Sequence, residues 1–510
     1  MLSAFRPEAI HELKARDKSK IESLLAYGDR LLVGLSTGSL RIYRVNEQPS
    51  PAPQAGSNGE DNQAPASASS IRSIELLREE EKFSRRPVQQ LAIVKEANLL
   101  VSLSDGYINL HDLQSYAPVE RIERTKGATC FTVTSNVVKD LDTKVPSLVS
   151  RLAVGVKRRV LCWTWRDMEM ESQEPLALDM EASVKSLNWV QKSNTMVKLV
   201  VGMDPGFVIV DVDAAVRSGG EGGEEPEGVK PVYKPASRQD TASGELAGIR
   251  FGAVSSSGMG YMGMGSWVPK PMVTGLSDGH ILFAKDVNTL FTEIDGRALE
   301  RRQVPWALAP EAIGYSYPFL LALQPPEKGT LQIRNPDSLT LLQTIPVPGA
   351  NILHVPQANI SLAHAGKGFL VASERTIWRM NALPYDAQLS ELAEKQRFDE
   401  AISLLTLLED TLIDDKIGRI REVKIMKAIS LFQQQKYRPA LDLFTDASAP
   451  PERVVALYPR SIAGDLSSVP DPVTEDTGDA EVVSEGENKS DEAANKEPPV
   501  TPSKLSLIHI

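Results

Sequence analysis

Cysteine is nearly missing: Cys130 and Cys162 are the only two in 510 residues. Two thiols build neither a disulfide framework nor a thiolate metal cage, so a reducing compartment is expected. Histidine is scarce as well. His11, His111, His280, His354, His364 and His509 are the full set, and none stands at ligand spacing from another or from a cysteine. No metal and no cofactor is expected. Long apolar runs are absent too. Clean stretches such as Phe319–Leu323 fall far short of the ~20 residues that cross a bilayer. The opening MLSAFRPEAIHELKARDKSK has no apolar core of a secretory leader. The expectation is a soluble cytoplasmic protein that reaches membranes peripherally, through partners.

Excess positive charge is also lacking. The formal charge is −11, and Asp465–Val500 alone carries eleven acids against two lysines, a net of −9. The remainder is nearly neutral and has no basic field to gather nucleic acid. At 42% apolar and 24% charged residues the chain is globular, which excludes fibrous and wholly disordered classes. Its length exceeds one ordinary domain.

What the sequence does contain is a repeated phrase: a short apolar run, a tight polar turn, then an alternating run. Leu31–Leu35 leads through Ser36-Thr37-Gly38 into Leu40, Ile42 and Val45. Leu99–Leu103 leads through Ser104-Asp105-Gly106 into Ile108 and Leu110, and Met272–Leu276 through Ser277-Asp278-Gly279 into Ile281 and Phe283. Looser copies start at Leu152, Leu199, Phe319 and Phe369. Each is a β-hairpin signature. The gaps between the seven starts are 68, 53, 47, 73, 47 and 50 residues. The short ones match the ~40–50 residues of a propeller blade. The long ones hold Pro/Gly/Ser-rich insertions, about 46–70 and 214–265, expected to be disordered. The fold expected is mainly β: a seven-bladed β-propeller whose hairpins run from about Ile21 to Met380, drawn as a domain over 1–383. Packed β-sandwiches are the alternative, but they do not require seven similar hairpins.

After Pro384 the period changes. Leu389, Leu392, Ala393, Phe398, Ala401, Ile402, Leu404 and Leu405 fall at helical spacing, with a break at Lys395-Gln396-Arg397. A second pair runs from Ile417 to Phe432 and, past Lys436-Tyr437, through Pro439 to Phe444. This predicts the start of an α-helical solenoid over 384–462, incomplete because a solenoid needs a capping end. The acidic stretch 463–510 is expected to be a disordered tail. Its last residues, Leu505–Ile510, break that composition and are read as a short motif or the mark of a truncated gene model.

Several motifs resemble chemistry and are better read as structure. Gly34–Gly38 and Gly275–Gly279 match G-x-S-x-G, but a nucleophile elbow needs a following helix and here a strand follows. Gly258–Gly263 matches G-x-G-x-x-G, yet the prolines after Trp267 forbid the helix of a dinucleotide site. Its methionines and Trp267 suit an adaptable partner-binding loop. Lys157-Arg158-Arg159 is read as a solvated turn, with a contact for an acidic partner or an anionic membrane as the sharper alternative. No catalytic residue is assigned, and the contacting residues of any binding site stay unassigned.

The order of these parts resembles the coat and tethering proteins of membrane traffic. In detail, Ala4-Phe5-x-Pro7 with IESLLAYGDRLLVGLSTGSLRIYRV, VKRRVLCWTWRD (156–167), FLVASERTIWRM (369–380), AQLSELAEKQRFDEAISLL, KYRPALDLF and PERVVALYP (451–459) is similar to the vacuolar morphogenesis family. These are vacuolar sorting subunits of the HOPS tethering complex that carry a citron-homology (CNH) domain. The resemblance covers about Met1 to Ser461, apart from the two insertions; Ala449-Pro450-Pro451 replaces an acidic start in the family's turn. It implies a non-enzymatic scaffold at vacuole and late-endosome membranes. Such a scaffold binds a late-endosomal or vacuolar Rab GTPase and other HOPS-complex vacuolar sorting subunits to promote docking and fusion. It also implies a long C-terminal solenoid that this sequence does not contain. A guanine-nucleotide exchange factor for a small GTPase, acting through a loop such as Gly258–Trp267, is the alternative. A propeller hydrolase is a third reading, without a converging Ser/His/Asp set behind it.

Overall fold

A computed structural model describes residues 2–46, 74–139, 145–166, 168–193, 196–204, 206–218, 229–231, 270–277, 279–299, 303–356 and 368–468. The insertion residues 47–70, 219–228 and 232–265, with the segment Gly258–Gly263 among them, and Trp267, His364, His509 and the acidic tail beyond Ser468 lie outside the described residues.

Strand β1 (Phe5–Glu12) comes first in the chain but belongs to the last sheet. The first blade is β2 (Ile21–Tyr27), β3 (Arg30–Leu35), β4 (Leu40–Val45) and β5 (Ile74–Glu80). The second is β6 (Gln90–Val94), β7 (Leu99–Ser104), β8 (Tyr107–Asp112) and β9 (Pro118–Ile122). The third is β10 (Ala128–Lys139), β11 (Pro146–Val156) and β12 (Arg159–Arg166), with β13 (Glu169–Met170) and β14 (Leu176–Asp179) both on β12. The fourth is β15 (Val184–Ser193), β16 (Met196–Met203), β17 (Phe207–Val210) and, after helix α1 (Val212–Ser218), β18 (Val229–Pro231).

The fifth blade is β19 (Met272–Gly275), β20 (His280–Lys285) and β21 (Asn288–Glu293). The sixth is β22 (Ala312–Ser316), β23 (Phe319–Leu323), β24 (Thr330–Arg334) and β25 (Leu341–Pro346). The seventh is β26 (Ala350–His354), β27 (Phe369–Ser373) and β28 (Thr376–Ala382), completed on its outside by β1. All these pairings are antiparallel. The first strands β2, β6, β10, β15, β19, β22 and β26 neighbour one another in a closed cycle. The protein is therefore a seven-bladed β-propeller.

Local chemistry explains the hairpins. In the second blade Asp105 and Gly106 both take positive φ (55° and 69°), which gives the primed two-residue turn that matches strand twist. Second strands are buried on both faces because blades stack on each side of them; β23 and β27 are buried at every residue. Three of the second strands carry a glycine at one repeated position. A Cβ at Gly34 would stand 2.3 Å from Ser23 Oγ and 2.8 Å from Val88, one at Gly155 2.7 Å from Val184, and one at Gly202 2.2 Å from Ser186 Oγ. Glycine lets the residue entering the next blade close onto the sheet.

All seven predicted hairpins are present, six of them as the second and third strands of a blade. The hairpin from Met272 differs: it supplies the first and second strands of the fifth blade. Gly275 matches the repeated glycine in sequence, yet an added Cβ would find its nearest neighbour 4.0 Å away. The apolar–turn–alternating pattern is the same for either strand pair, so it does not reveal which pair it builds. The strands do not begin at Ile21, since β1 pairs with β28 from Phe5↔Ala382 to Glu12↔Thr376 and closes the ring. Nor is 214–265 structureless from its start, because Asp211 Oδ1 accepts from Ala214 N–H (3.0 Å), which nucleates α1, and β18 pairs with β17.

Helices α2 (Tyr385–Glu394), α3 (Phe398–Leu407), α4 (Lys416–Gln433) and α5 (Tyr437–Asp446) follow the predicted spacing. Asp415 caps α4 by accepting from Gly418 N–H (3.1 Å). Pro439 falls in the first turn of α5, where its missing N–H is harmless. The change from strand to helix at Pro384 is not a break in packing. Leu392, Ala401, Leu404 and Leu405 share one core with Phe5, Phe319, Leu321 and Phe369. The Tyr317 hydroxyl donates to the Leu407 carbonyl (2.7 Å) and accepts from Glu409 N–H (2.8 Å). Met1–Ser448 is one compact unit. Ala449–Ile510 is the other; its described residues hold α6 (Pro451–Val455) and α7 (Arg460–Ala463), and Ser468 Oγ donates to the Ala456 carbonyl (2.8 Å).

Candidate interaction surface

The seven first strands turn their free edges toward a central channel, and two cavities lie along it. One, of about 420 Å³, is lined by Thr134, Asn188, Trp189, Thr274 and Tyr315. The other, of about 170 Å³, is lined by Leu25, Gln90, Thr132 and His354. A third cavity, of about 740 Å³, lies on the outer wall where the last blade meets the first, between β1 and the strands β4 and β5.

The hydrolase-like serines sit on turns. The Ser36 hydroxyl accepts from Lys20 N–H (2.9 Å), its own N–H donates to the Lys20 carbonyl (2.9 Å), and β4 follows it. Ser277 is exposed just before β20. Strand, not helix, follows both, so neither is an elbow.

The histidines are dispersed. His111 is buried in β8, hydrogen-bonded to Ser102 Oγ (3.1 Å) and stacked on Phe83 at 4.0 Å; burial pushes its pKa down to about 4. His354 accepts from Ala26 N–H (3.3 Å), and burial takes it to about 4 as well. His11 in β1 is hydrogen-bonded to the Tyr43 hydroxyl (3.0 Å), and burial first and then Arg41 lower its pKa. His280 opens β20. Among the described residues no group of three His, Cys, Asp or Glu is placed to hold a metal. Burial raises both thiols, Cys162 to about 12.

The Lys157-Arg158-Arg159 turn is largely used inside its own blade. Arg158 donates to the Glu181 carbonyl (2.6 Å), and Arg159 donates to Asp179 on β14 (2.6 Å). Lys157 stands exposed at positive φ.

Sequence reasoning did not single out the residues around the ring closure. Arg41 bridges Asp17 (2.6 Å) and Glu79 (2.8 Å). Burial opposes ionisation of Asp17, but hydrogen bonds from Ser19 and then Arg41 outweigh it and hold the carboxyl at about 2. Arg375 donates to the carbonyls of Leu13 (2.9 Å), Lys14 (2.6 Å) and Asp17 (3.3 Å), which pins the loop between β1 and β2. Lys20 pairs with Glu374 at 2.8 Å. The available signal was the density of charge in LKARDKSK, four cations and one acid in eight residues.

These features define a class: a seven-bladed propeller with a helical segment docked on its side. The CNH domain model matches residues 27–355, and the chain belongs to that family. It is similar to the human "Vam6/Vps39-like protein", 25% identical over 464 residues that cover 90% of this chain and 43% of that protein. The Drosophila melanogaster "Vacuolar protein sorting-associated protein 39 homolog" is 23% identical, over 90% of this chain and 45% of its own length. The Arabidopsis thaliana "Vacuolar sorting protein 39" is 22% identical, over 92% and 38%. The chain thus spans less than half the length of these curated relatives. A solved structure of the "AfRom2 CNH domain" matches 74% of this chain and 99% of its own, at 13% identity and a TM-score of 0.44.

Proposed function

We propose that this chain is a non-enzymatic scaffold subunit of a HOPS-type tethering complex, peripheral on vacuole and late-endosome membranes. In that role it binds a late-endosomal or vacuolar Rab GTPase and partner vacuolar sorting subunits. The observation that carries the reading is the length of the likeness to Vam6/Vps39-like proteins, which takes in 90% of this chain and so extends beyond the propeller into the helices. The physics is that of a platform. A closed ring shelters its inner strand edges around the channel and presents its loops and outer strands on a rigid frame. Helices α2–α5 read as the first turns of a solenoid over 384–462, and α2, α3 and α4 share a core with the propeller domain (1–383). Among the described residues no helix is long and apolar enough to cross a membrane, so membrane attachment is assigned to partners.

The test is flotation of the chain with liposomes that carry a late-endosomal Rab. Recruitment with the GTP-loaded Rab and its loss with the GDP-loaded form are expected. Recruitment to bare liposomes, or recruitment blind to the nucleotide, overturns the reading.

A further inference from the structure

The outer cavity exceeds both channel cavities, and its walls differ from theirs. On one side stands β1, the outer strand of the seventh blade; on the other stands β5, the outer strand of the first. Ile10, Leu13 and Tyr43 form a buried apolar floor. Leu76 lines the groove although 49% exposed, and Leu77 beside it is 38% exposed. β5 carries Glu75, Arg78, Glu79 and Glu80 as a blunted outer strand does, and its two leucines leave an apolar stretch beside the groove.

The charge in the groove is uneven. Arg41 is consumed by Asp17 and Glu79, and Lys20 by Glu374. Lys14 and Arg16 line the same groove, are exposed, and have no ion pair among the described residues; Lys18 stands exposed next to them. Besides Asp17, Glu12 is the acid that lines this end. One end of the groove is therefore apolar and the other basic, on a loop that three Arg375 hydrogen bonds hold in place. A pinned loop loses little freedom when it binds.

We propose that the groove between β1 and β5 docks an extended acidic segment of a protein partner, with a large apolar side chain over the Ile10–Leu13–Tyr43 floor and against Leu76, and neighbouring carboxylates on Lys14 and Arg16. Charge complementarity selects this occupant. A flat anionic membrane fits less well, because Glu75, exposed on the β5 wall, would meet it together with the cations, whereas a narrow segment keeps its carboxylates on the Lys14–Arg16 side. The inference goes beyond the tethering role and stands apart from it: its failure leaves the Rab-dependent flotation untouched.

The experiment titrates the full chain into a fluorescein-labelled peptide of about twelve residues, Leu-Phe between two acidic runs, with polarisation as the readout. Saturable binding is expected. Lys14→Glu with Arg16→Glu weakens it by about tenfold or more, and Leu76→Asp by a similar factor. Lys157→Glu, a charge reversal on the third blade, leaves it unaltered. All of these side chains are exposed, and an unchanged melting temperature confirms the fold. The proposal is overturned if no saturation occurs by about 0.5 mM, if the groove variants bind like the parent, or if a Ser-Ser version of the peptide binds equally well. Binding of phosphatidylserine vesicles that depends on Lys14 and Arg16, without peptide binding, assigns the surface to a membrane and overturns it too.

Discussion

The ring and the helices beside it share a core but are held by different forces. In the ring, every blade buries a second strand between two neighbours, and side chains such as Leu321, Phe369 and Val371 are sealed from water. In the helices, burial is one-sided and charge is plentiful. Helix α4 pairs Arg419 with Asp386 on α2, Lys427 with Asp399 on α3, and Lys424 with Asp446 on α5. The ring is specified by close packing of its second strands, where a change of volume is costly. The helices are specified by one apolar face on the ring and trimmed by surface ion pairs, which contribute little singly.

The sharpest way to break this contrast is to remove volume where the two regions meet. Leu321→Ala, in the core shared by β23 and α3, is expected to cost about 2–5 kcal/mol in denaturant unfolding. Hydrogen exchange should rise in α2 and α3 as well as in the sixth blade. Loss of protection in the blade alone would mean that the helices are held otherwise. Adding volume makes the complementary test. Gly155→Val puts carbon against Val184 and is expected to cost roughly 1–3 kcal/mol, whereas Gly275→Val, with open space around its Cβ position, should be nearly silent. Equal effects would contradict the displaced register of the fifth blade.

Acid distinguishes the regions next. His111 and His354 are held neutral, with folded pKa values lowered from 6.5 to about 4. The unfolded chain therefore binds more protons between pH 6.5 and 4, so stability falls as pH drops through that window and levels off below it. Buried His111 accounts for on the order of 3 kcal/mol of the change. Asp17 acts lower down: its depressed pKa contributes stability that is present above about 3.8 and lost as pH falls through about 2. Urea titrations at stepped pH read both windows. His111→Asn should flatten the upper one, and an unaltered profile would mean that the imidazole is protonated in the fold.

Much of this architecture was legible in the residues. The hairpins at Leu31, Leu99, Leu152, Leu199, Phe319 and Phe369 could be found because turn glycines and period-two alternation are local signals. The breaks at Lys395-Gln396-Arg397 and Lys436 were equally local. What escaped was non-local. β1 carries Arg6, Pro7 and Glu8 and has weak strand propensity; it is a strand because β28 lies beside it, more than 360 residues away. The phase of the fifth blade depends on which neighbours surround β19, and a pattern shared by both hairpin positions does not encode that. The outer groove was hidden for the same reason, since its walls come from Ile10–Asp17, Arg41–Tyr43 and Ile74–Glu79, which only ring closure brings together.

The smallest effect belongs to the ion pairs of α4. Lys427 reaches Asp399 across the α3–α4 interface, but the carboxylate is 79% exposed and water screens the pair. Lys427→Ala is expected to change stability by only about 0.2–1 kcal/mol, and by less at high salt. A double-mutant cycle with Asp399→Ala isolates the coupling from the loss of the lysine stem, which also covers apolar surface. If that coupling matched the cost of Leu321→Ala, the helices would be held to one another by charge, and the division between a packed ring and a charge-trimmed arm would fail. If it stays below the packing term and shrinks with salt, the orientation of α4 is set by Val423, Ile425 and Ala428, which are buried, and the ion pairs adjust a geometry already fixed.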